Sequence, residues 1–506
     1  MSSKRNSINA RLKILYINYP CPTNLNTVPL ISQAYLGTVA HRMGCEVYLI
    51  DANFYLRPYS INDILMTVNK IKPDIIGMTF FTHTALYGYD LVKKLKSVFR
   101  GCTYVSGGPH ASILHEEILE HGFDIVCKGE GEEISANLIR YKSGELKLKD
   151  IDGISYKEDG EIIHQPSSQL IKDLDTLPDI NYDLFDPLYF SEKNLKNEFG
   201  VFSSRGCPNK CTFCNSYGVF GTRYRYRSTE NILNELELLN NKYKIKRLNF
   251  VDDYFTLNKD RLHKICEGII KNRLDINWSA YSMAKPIPKD LLSLMKKAGC
   301  IHIAYGVENV YPKTLKLINK KVSNQQIEQT FQNHVGSGIG FKANIMVGFP
   351  WETKESVKAN IQFILYNKLQ GSTVRFNIPV LNPIPSTKIY NDHVQEFPKI
   401  KNSWLRRDIN QLIISNYSKA DLLKFNYFNL KPKVINEIYF LYFVAKIVPS
   451  YNFHALKAGT TIKSKLKFFS YPFKKMICSY SFMKIIFKIA FLFFPHFTKE
   501  KLLINW

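Results

Sequence analysis

The sequence predicts an α/β protein of two unlike halves: an N-terminal Rossmann-like, doubly wound domain, then a partial (β/α)6 barrel of TIM type, then a mainly helical C-terminal region. Three observations carry this reading. Short β-rich runs alternate with amphipathic stretches from Lys13 to about Ile139. The alternation stops over a turn-rich stretch and resumes near Val201. A loop bearing three cysteines follows the first strand of the second series, at the end where a parallel barrel carries its chemistry.

Taken in order, a polar tail of residues 1–12 precedes a domain over 13–145 with five buried parallel strands expected at Lys13–Asn18, Glu46–Asp51, Asp74–Thr79, Thr103–Ser106 and Asp124–Lys128. Leu30–Met43 and Ala85–Phe99 read as helices between them. Doubly wound domains bind ligands at the carboxyl ends of their strands. There the chain places Thr79-Phe-Phe-Thr82, Ser106-Gly-Gly-Pro-His110 and Lys128-Gly-Glu-Gly-Glu132. Ser106-Gly-Gly-Pro-His110 is expected to open a helix whose free N–H groups hold a polar or phosphate group. Residues 146–197, with Glu158-Asp-Gly160, read as a hairpin-bearing linker. Over 198–385 six strands alternate with helices, beginning at Val201–Ser204 and ending at Val374–Pro379, and residues 386–506 form the C-terminal region.

An apolar share of 45% with 22% charged residues is ordinary globular composition and leaves no long segment disordered by default. Cys21, Cys45, Cys102, Cys127, Cys266, Cys300 and Cys478 are scattered singly, so no disulfide framework is expected. Met1-Ser-Ser-Lys-Arg-Asn runs into a strand without an apolar export segment, and a cytoplasmic protein is expected. Of the net charge of +24, residues 401–506 hold +14, interleaved with the apolar run Ile485–Phe494. Ten residues cannot cross a bilayer, which takes about 20. The run fits a peripheral contact with anionic lipid and equally a packed C-terminal helix with solvated lysines. Its aromatics bunch instead of alternating with the basic residues, which disfavours a nucleic-acid surface.

The cysteine loop, Ser203-Ser-Arg-Gly-Cys-Pro-Asn-Lys-Cys-Thr-Phe-Cys214, carries the chemistry. Cys207, Cys211 and Cys214 can give one thiolate to each of three irons of a cubane and leave the fourth open. Zinc knuckles would show paired C-x2-C steps and further ligands nearby. Core cysteines do not cluster beside Gly206, Pro208 and Lys210 in a turn. The spacing resembles the radical S-adenosylmethionine (SAM) superfamily, which implies a 4Fe-4S cluster whose open iron takes the amino and carboxylate groups of SAM. SAM then needs acceptors for its ribose, close backbone and apolar stacking. Asp252, the pair Glu308-Asn309 and Gly348-Phe349-Pro350 end the second, fourth and fifth strands and are candidates, with Phe213 on the adenine side.

With the preceding domain, Gly129-Glu-Gly-Glu132, Phe250-Val-Asp-Asp-Tyr-Phe-Thr256 and Tyr305-Gly-Val-Glu-Asn309, the chain over about 13–385 is similar to the cobalamin-binding-domain radical SAM family, which includes the anaerobic magnesium-protoporphyrin ester cyclase and carbon and phosphorus methyltransferases. That resemblance implies cobalamin at Thr79, Ser106, Gly107, Gly108, Pro109, His110 and Glu130. Asn53 stands where cobalamin mutases present a cobalt-binding histidine, so cobalamin is expected without a histidine lower ligand. A second departure is on the third strand, where Lys285 follows Met283 and relatives often carry arginine. The resemblance further implies reductive cleavage of SAM, with an electron from a flavodoxin- or ferredoxin-type donor, and methylation of an unactivated carbon of a small or lipid-like metabolite. A radical cyclase or rearranging enzyme is the alternative, and an iron-sulfur sensor without turnover the alternative from another class. No catalytic proton donor can be named from the sequence.

Overall fold

The computed structural model of the chain describes residues 11–21, 30–369, 374–401, 403, 422–423 and 425–447. The first sheet contains β1 (Lys13–Asn18), β2 (Glu46–Asp51), β3 (Ile75–Thr79), β4 (Thr103–Gly107), β5 (Ile125–Cys127), β6 (Ile154–Glu158) and β7 (Glu161–His164) in the order β2-β1-β3-β4-β5-β6-β7. β1 to β5 pair in parallel. β1 is buried from Ile14 to Asn18, as a strand covered by helices on both faces must be. The strand order reverses between β1 and β3, which opens a crevice at their carboxyl ends.

The hairpin expected in the linker belongs to this sheet, because β6 pairs antiparallel with β5 and β7 with β6. Asp159 and Gly160 both take positive φ in its turn, 49° and 87°, the geometry that matches the twist of the two strands. Ser106-Gly-Gly-Pro-His110 does not open a helix. Ser112 N–H bonds to Gly108 O and Leu114 N–H to His110 O in consecutive turns, and the helix starts only at His115. No helix N-terminus therefore points at a phosphate there.

The second sheet contains β8 (Phe199–Val201), β11 (Arg247–Phe250), β12 (Asn277–Met283), β13 (Cys300–Glu308), β14 (Gly340–Ile345) and β15 (Val374–Asn377), all parallel, in the order β15-β14-β13-β12-β11-β8. Among the described residues no strand joins β15 to β8, so this is an open partial barrel. The first strand ends earlier than Ser204. Asp252 accepts bonds from the Ser203 N–H and from the Ser203 and Ser204 hydroxyls, which turns the chain out of the sheet. Ser204–Arg205 (β9) then pairs antiparallel with Arg225–Tyr226 (β10) before the cysteine loop.

Helices follow the strands with local stop and start signals. Ser228 caps Thr229–Asn241, and Ser323 caps Asn324–His334 in a capping box with Gln326. Trp278, Phe250, Phe255, Phe331 and Phe341 fill the layer between sheet and helices, and Trp278 Nε1 donates to Ala298 O at 2.8 Å. Each such side chain contributes roughly 1.5–3 kcal/mol by leaving water. The helix Pro432–Ile447 packs on Lys354–Leu369, and Tyr442 OH reaches Ile378 O. The basic aromatic segments at Phe468–Phe473 and Ile485–Phe494 lie outside the described residues. Among the described residues no helix is long and apolar enough to cross a membrane.

Candidate active site

The cysteine loop is held from three sides. Thr212 N–H donates to Ile318 O at 3.0 Å, Ile389 N–H to Thr212 O at 2.9 Å, and Asn319 Nδ2 to Lys210 O at 2.8 Å. Gly206 has φ +83°, and a Cβ there would lie 2.3 Å from Arg223 O, so the residue before Cys207 has to be glycine. Asn209 Nδ2 reaches Cys207 Sγ at 3.5 Å and Met283 Sδ at 3.3 Å, and Ser216 N–H reaches Cys214 Sγ at 3.4 Å. The three sulfurs feel one another's charge. Three thiols on one loop suit a cluster that offers a separate iron to each thiolate. Burial pushes the Cys214 thiol up to about 12 and Cys211 up as well, so thiolate character there has to come from the metal.

The expected SAM residues divide. Glu308 ends β13 with φ +63°, an uncommon conformation for a side-chain-bearing residue. It pairs with Lys320 at 3.2 Å, and Gly306 leaves the space these two side chains use. Asn309 is fully buried; its Oδ1 accepts from Tyr311 N–H and its Nδ2 has no partner. Thr212 Oγ1 in the cysteine loop is likewise buried and unpartnered. Gly348 has φ +90° and donates its N–H to Glu352, Pro350 is half-buried, and Phe213 packs half-buried beside the loop. Phe349 belongs to the core, stacked on Trp351, and Asp252 is committed to Ser203 and Ser204. These two shape the loops rather than facing open space.

Sequence reasoning passed over Lys320 and noted Asp253 only as a polar strand end without a role. Burial alone would lower Lys320, but Glu308 and the Cys211 sulfur hold it above its ordinary value. Asp253 bonds Ser216 beside Cys214, and desolvation pushes its carboxyl up. The alternation after β11 carried the signal for Asp253, since neighbours in an extended segment face opposite ways. Nothing local marked Lys320.

In the first domain a cavity of about 500 Å³ opens at the β1/β3 switch point. Thr79, Gly107, Gly108, Pro109 and Glu130 line it, together with apolar groups such as Tyr16 and Val105. Gly108 has φ +90°, and a Cβ would meet Thr79 Oγ1 at 2.2 Å. Gln33 Nε2 in the lining and Ser106 Oγ at the end of β4 are buried without a partner. A mostly apolar cavity with a few unsatisfied polar atoms suits an organic cofactor. His110 is turned away: Nε2 contacts Tyr89 OH at 2.8 Å and Nδ1 contacts Thr82 Oγ1 at 3.2 Å, and burial lowers it to about 3. Asn53 is occupied too, accepting from Cys21 N–H at 2.6 Å and donating to Tyr19 O at 2.7 Å.

The cavity and the cysteine loop share a wall. Arg205, two residues before Cys207, lines the cavity and pairs with Glu130 at 2.8 Å and with Glu132. Arg225 takes the other Glu130 oxygen at 2.8 Å, and Ile171 N–H adds a bond at 2.7 Å. The Arg205 guanidinium lies 5.0 Å from the Phe202 ring centroid, with Tyr35 and Phe220 close by.

A family model for the radical SAM superfamily matches residues 201–364, and one for the B12 binding domain matches residues 25–139. The chain is 33% identical to an uncharacterized methyltransferase of Pyrococcus horikoshii, over 75% of this chain and 82% of that protein. It is 27% identical to the anaerobic magnesium-protoporphyrin IX monomethyl ester cyclase of Rubrivivax gelatinosus, over 62% of this chain and 57% of the cyclase. Its fold is similar to the cobalamin-dependent SAM radical enzyme OxsB with aqua-cobalamin bound, with TM-score 0.70 and 18% identity over 97% of this chain and 80% of OxsB. It is also similar to the radical SAM methyltransferase TsrM from Kitasatospora setae with cobalamin and its iron-sulfur cluster bound, with TM-score 0.64 and 16% identity over 76% of this chain and 75% of TsrM. The first match takes in the thiol loop and the second most of the domain that holds the cavity, and the chain belongs to the cobalamin-binding radical SAM enzymes.

Proposed function

We propose that the enzyme methylates an unactivated carbon of a small or lipid-like metabolite, and that the residues above divide the work. One observation supports the reading: Arg205 lines the apolar cavity of the first domain and lies two residues before Cys207 of the cysteine loop. When bound, the cluster and SAM supply a hydrogen-abstracting radical and cobalamin supplies a methyl group. Cys207, Cys211 and Cys214 hold the cluster. Glu308, Asn309 and Gly348 hold SAM, with the orphaned Asn309 Nδ2 as a donor to it. Thr79, Ser106, Gly107 and Gly108 hold the cobalamin tail, and Asn53 offers the cobalt no ligand because both its polar atoms are engaged.

The similarity to the Pyrococcus horikoshii methyltransferase over 82% of that protein supports methyl transfer. The cyclase relatives favour one alternative, a radical oxidation or ring closure. Product mass separates the two. Incubation of the anaerobically reconstituted enzyme with a reductant and methyl-labelled SAM should yield a product one methyl heavier than its substrate. Cleavage of SAM with a true substrate but no label in the product would sink methyl transfer. The reductant we infer is a flavodoxin or ferredoxin. Peripheral membrane contact through residues 470–506 is tested by deleting them, and unchanged liposome binding would end that idea.

A further inference from the structure

The concave face of the second sheet carries a polar pattern that neither the cluster nor the two organic cofactors explains. Tyr305 and Phe341 point outward, Tyr305 OH contacting His334 Nε2 at 2.7 Å and Phe341 packing on Phe331. Phe376 likewise packs on Phe363 of the helix Lys354–Leu369. By strand alternation the intervening residues face the concave side. They fall into rows by register. Tyr281 pairs with Ala304, Ala304 with Lys342, and Lys342 with Arg375. One row higher, Met283 pairs with Gly306, Gly306 with Asn344, and Asn344 with Asn377. One row lower stand Ser279 and His302.

Barrel interiors are normally filled by branched apolar side chains. Here Tyr281 is 46% exposed, Lys342 half-buried and Arg375 exposed, with only the methyl group of Ala304 between Tyr281 and Lys342. Two cations stand side by side on strands about 4.8 Å apart, an arrangement that costs energy unless an anion joins them. Among the described residues neither forms an ion pair; Glu198, the acid whose charge reaches neighbouring His302, is engaged by Arg247 at 3.6 Å and Ser279 at 2.9 Å. Asn377 Nδ2 donates to Asn344 Oδ1 at 3.1 Å directly above them. Met283 in that upper row touches Asn209 of the cysteine loop. Lys342 lies three residues before Ile345, the register partner of Glu308, so the cation pair sits about 10 Å below the level of Glu308.

We propose that Lys342 and Arg375 bind the anionic group, carboxylate or phosphate, of a small organic substrate and hold it with its reacting carbon raised toward Met283 and the sheet mouth. This rests on the reading that radical chemistry occurs at that mouth. The substrate is then an acid whose charged group lies about 10 Å from the carbon that reacts.

Calorimetric titration of the cluster- and cobalamin-loaded enzyme with inorganic phosphate, and separately with acetate, tests the site directly. Saturable binding of one anion is expected. Lys342→Met and Arg375→Met should each weaken it at least about tenfold, as loss of a charge-assisted contact does. Lys342→Arg should retain it, which guards against a folding defect, and Lys259→Met on the outer surface should leave it unchanged. Absence of saturable binding by either anion, or equal binding by Lys342→Met, overturns the site. A second arm supplies labelled SAM and a metabolite extract fractionated by anion exchange. Labelled product in the retained fractions supports the site, and labelled product in the neutral flow-through overturns it while leaving methyl transfer intact. Anion binding intact with unlabelled, oxidised product instead overturns methyl transfer and leaves the site standing.

Discussion

The Arg205 joint and the concave face of the second sheet handle charge in opposite ways. At the joint, Arg205 is 5% exposed and every buried charge has a partner, with Glu130 alone receiving two guanidinium groups and a backbone N–H. On the concave face Lys342 and Arg375 stand together with no described counter-ion. A buried charge is tolerated only when paired, so full charge pairing marks fixed architecture, even though Nε of both Arg205 and Arg225 lacks a hydrogen-bond partner. Unpaired charges on an open face are instead available to a ligand, and among the described residues Lys342 and Arg375 form no ion pair.

The sharpest break of this comparison lies at the thiols, which neither class contains. Replacing any of Cys207, Cys211 or Cys214 by Ala should reduce 5′-deoxyadenosine formation to background, with loss of cluster absorbance. Next, Arg205→Met strands Glu132, leaves Glu130 to Arg225 alone, and should cost about 3–5 kcal/mol, read as a fall in chemical-denaturation stability. Gly108→Val forces a side chain onto Thr79 at a positive φ and should lower cobalamin retention after gel filtration about tenfold or more. Glu352 tests buried charge without a cation: burial outweighs its hydrogen bonds to Ser356 and Gly348 and raises its carboxyl from 4.5 to about 7. Its neutral form is favoured in the fold, so the stability it contributes is full below 4.5 and lost as pH rises through about 7. Glu352→Gln should flatten the Tm profile over that window. Smallest of all, Lys342→Met should leave Tm unchanged or raise it by a few degrees, since it relieves a like-charge contact. A large loss of stability there would erase the distinction between the two regions.

Much of this was legible in the chain. The strands of both sheets are set by local runs such as Lys-Ile-Leu-Tyr-Ile-Asn and by alternation, and those signals survive folding because tertiary packing agrees with them. The cysteine loop was readable because its spacing is itself the chemistry. What escaped were consequences of distant contacts. Asp252 reads as a strand-end ligand, but Ser203 and Ser204, 49 and 48 residues away, claim it. Glu130 reads as a cofactor contact, and it lines the cavity, but its charge is held by Arg205 and Arg225 from the other half of the molecule. Lys320 meets Glu308 only because Gly306 is small, a relation no periodicity encodes. The hairpin was recognised, whereas its attachment to β5 depends on register that sequence alone does not fix.

The gap between β8 and β15 has a consequence for traffic. A closed barrel can be loaded only through its mouth, and here that mouth faces the cavity, the cysteine loop and the groups they hold. Among the described residues no strand closes the sheet; β8 is buried along its length, whereas β15 carries the exposed Arg375, so the concave face meets solvent on the β15 side. A substrate held at Lys342 and Arg375 would arrive and leave from that side, at right angles to the strands, while the cofactors stay seated. The molecule's length is limited along the strands, by the step from Lys342 to the mouth, and not across them. A bulky or chain-like acid could keep most of itself outside the protein and present only one carbon for reaction.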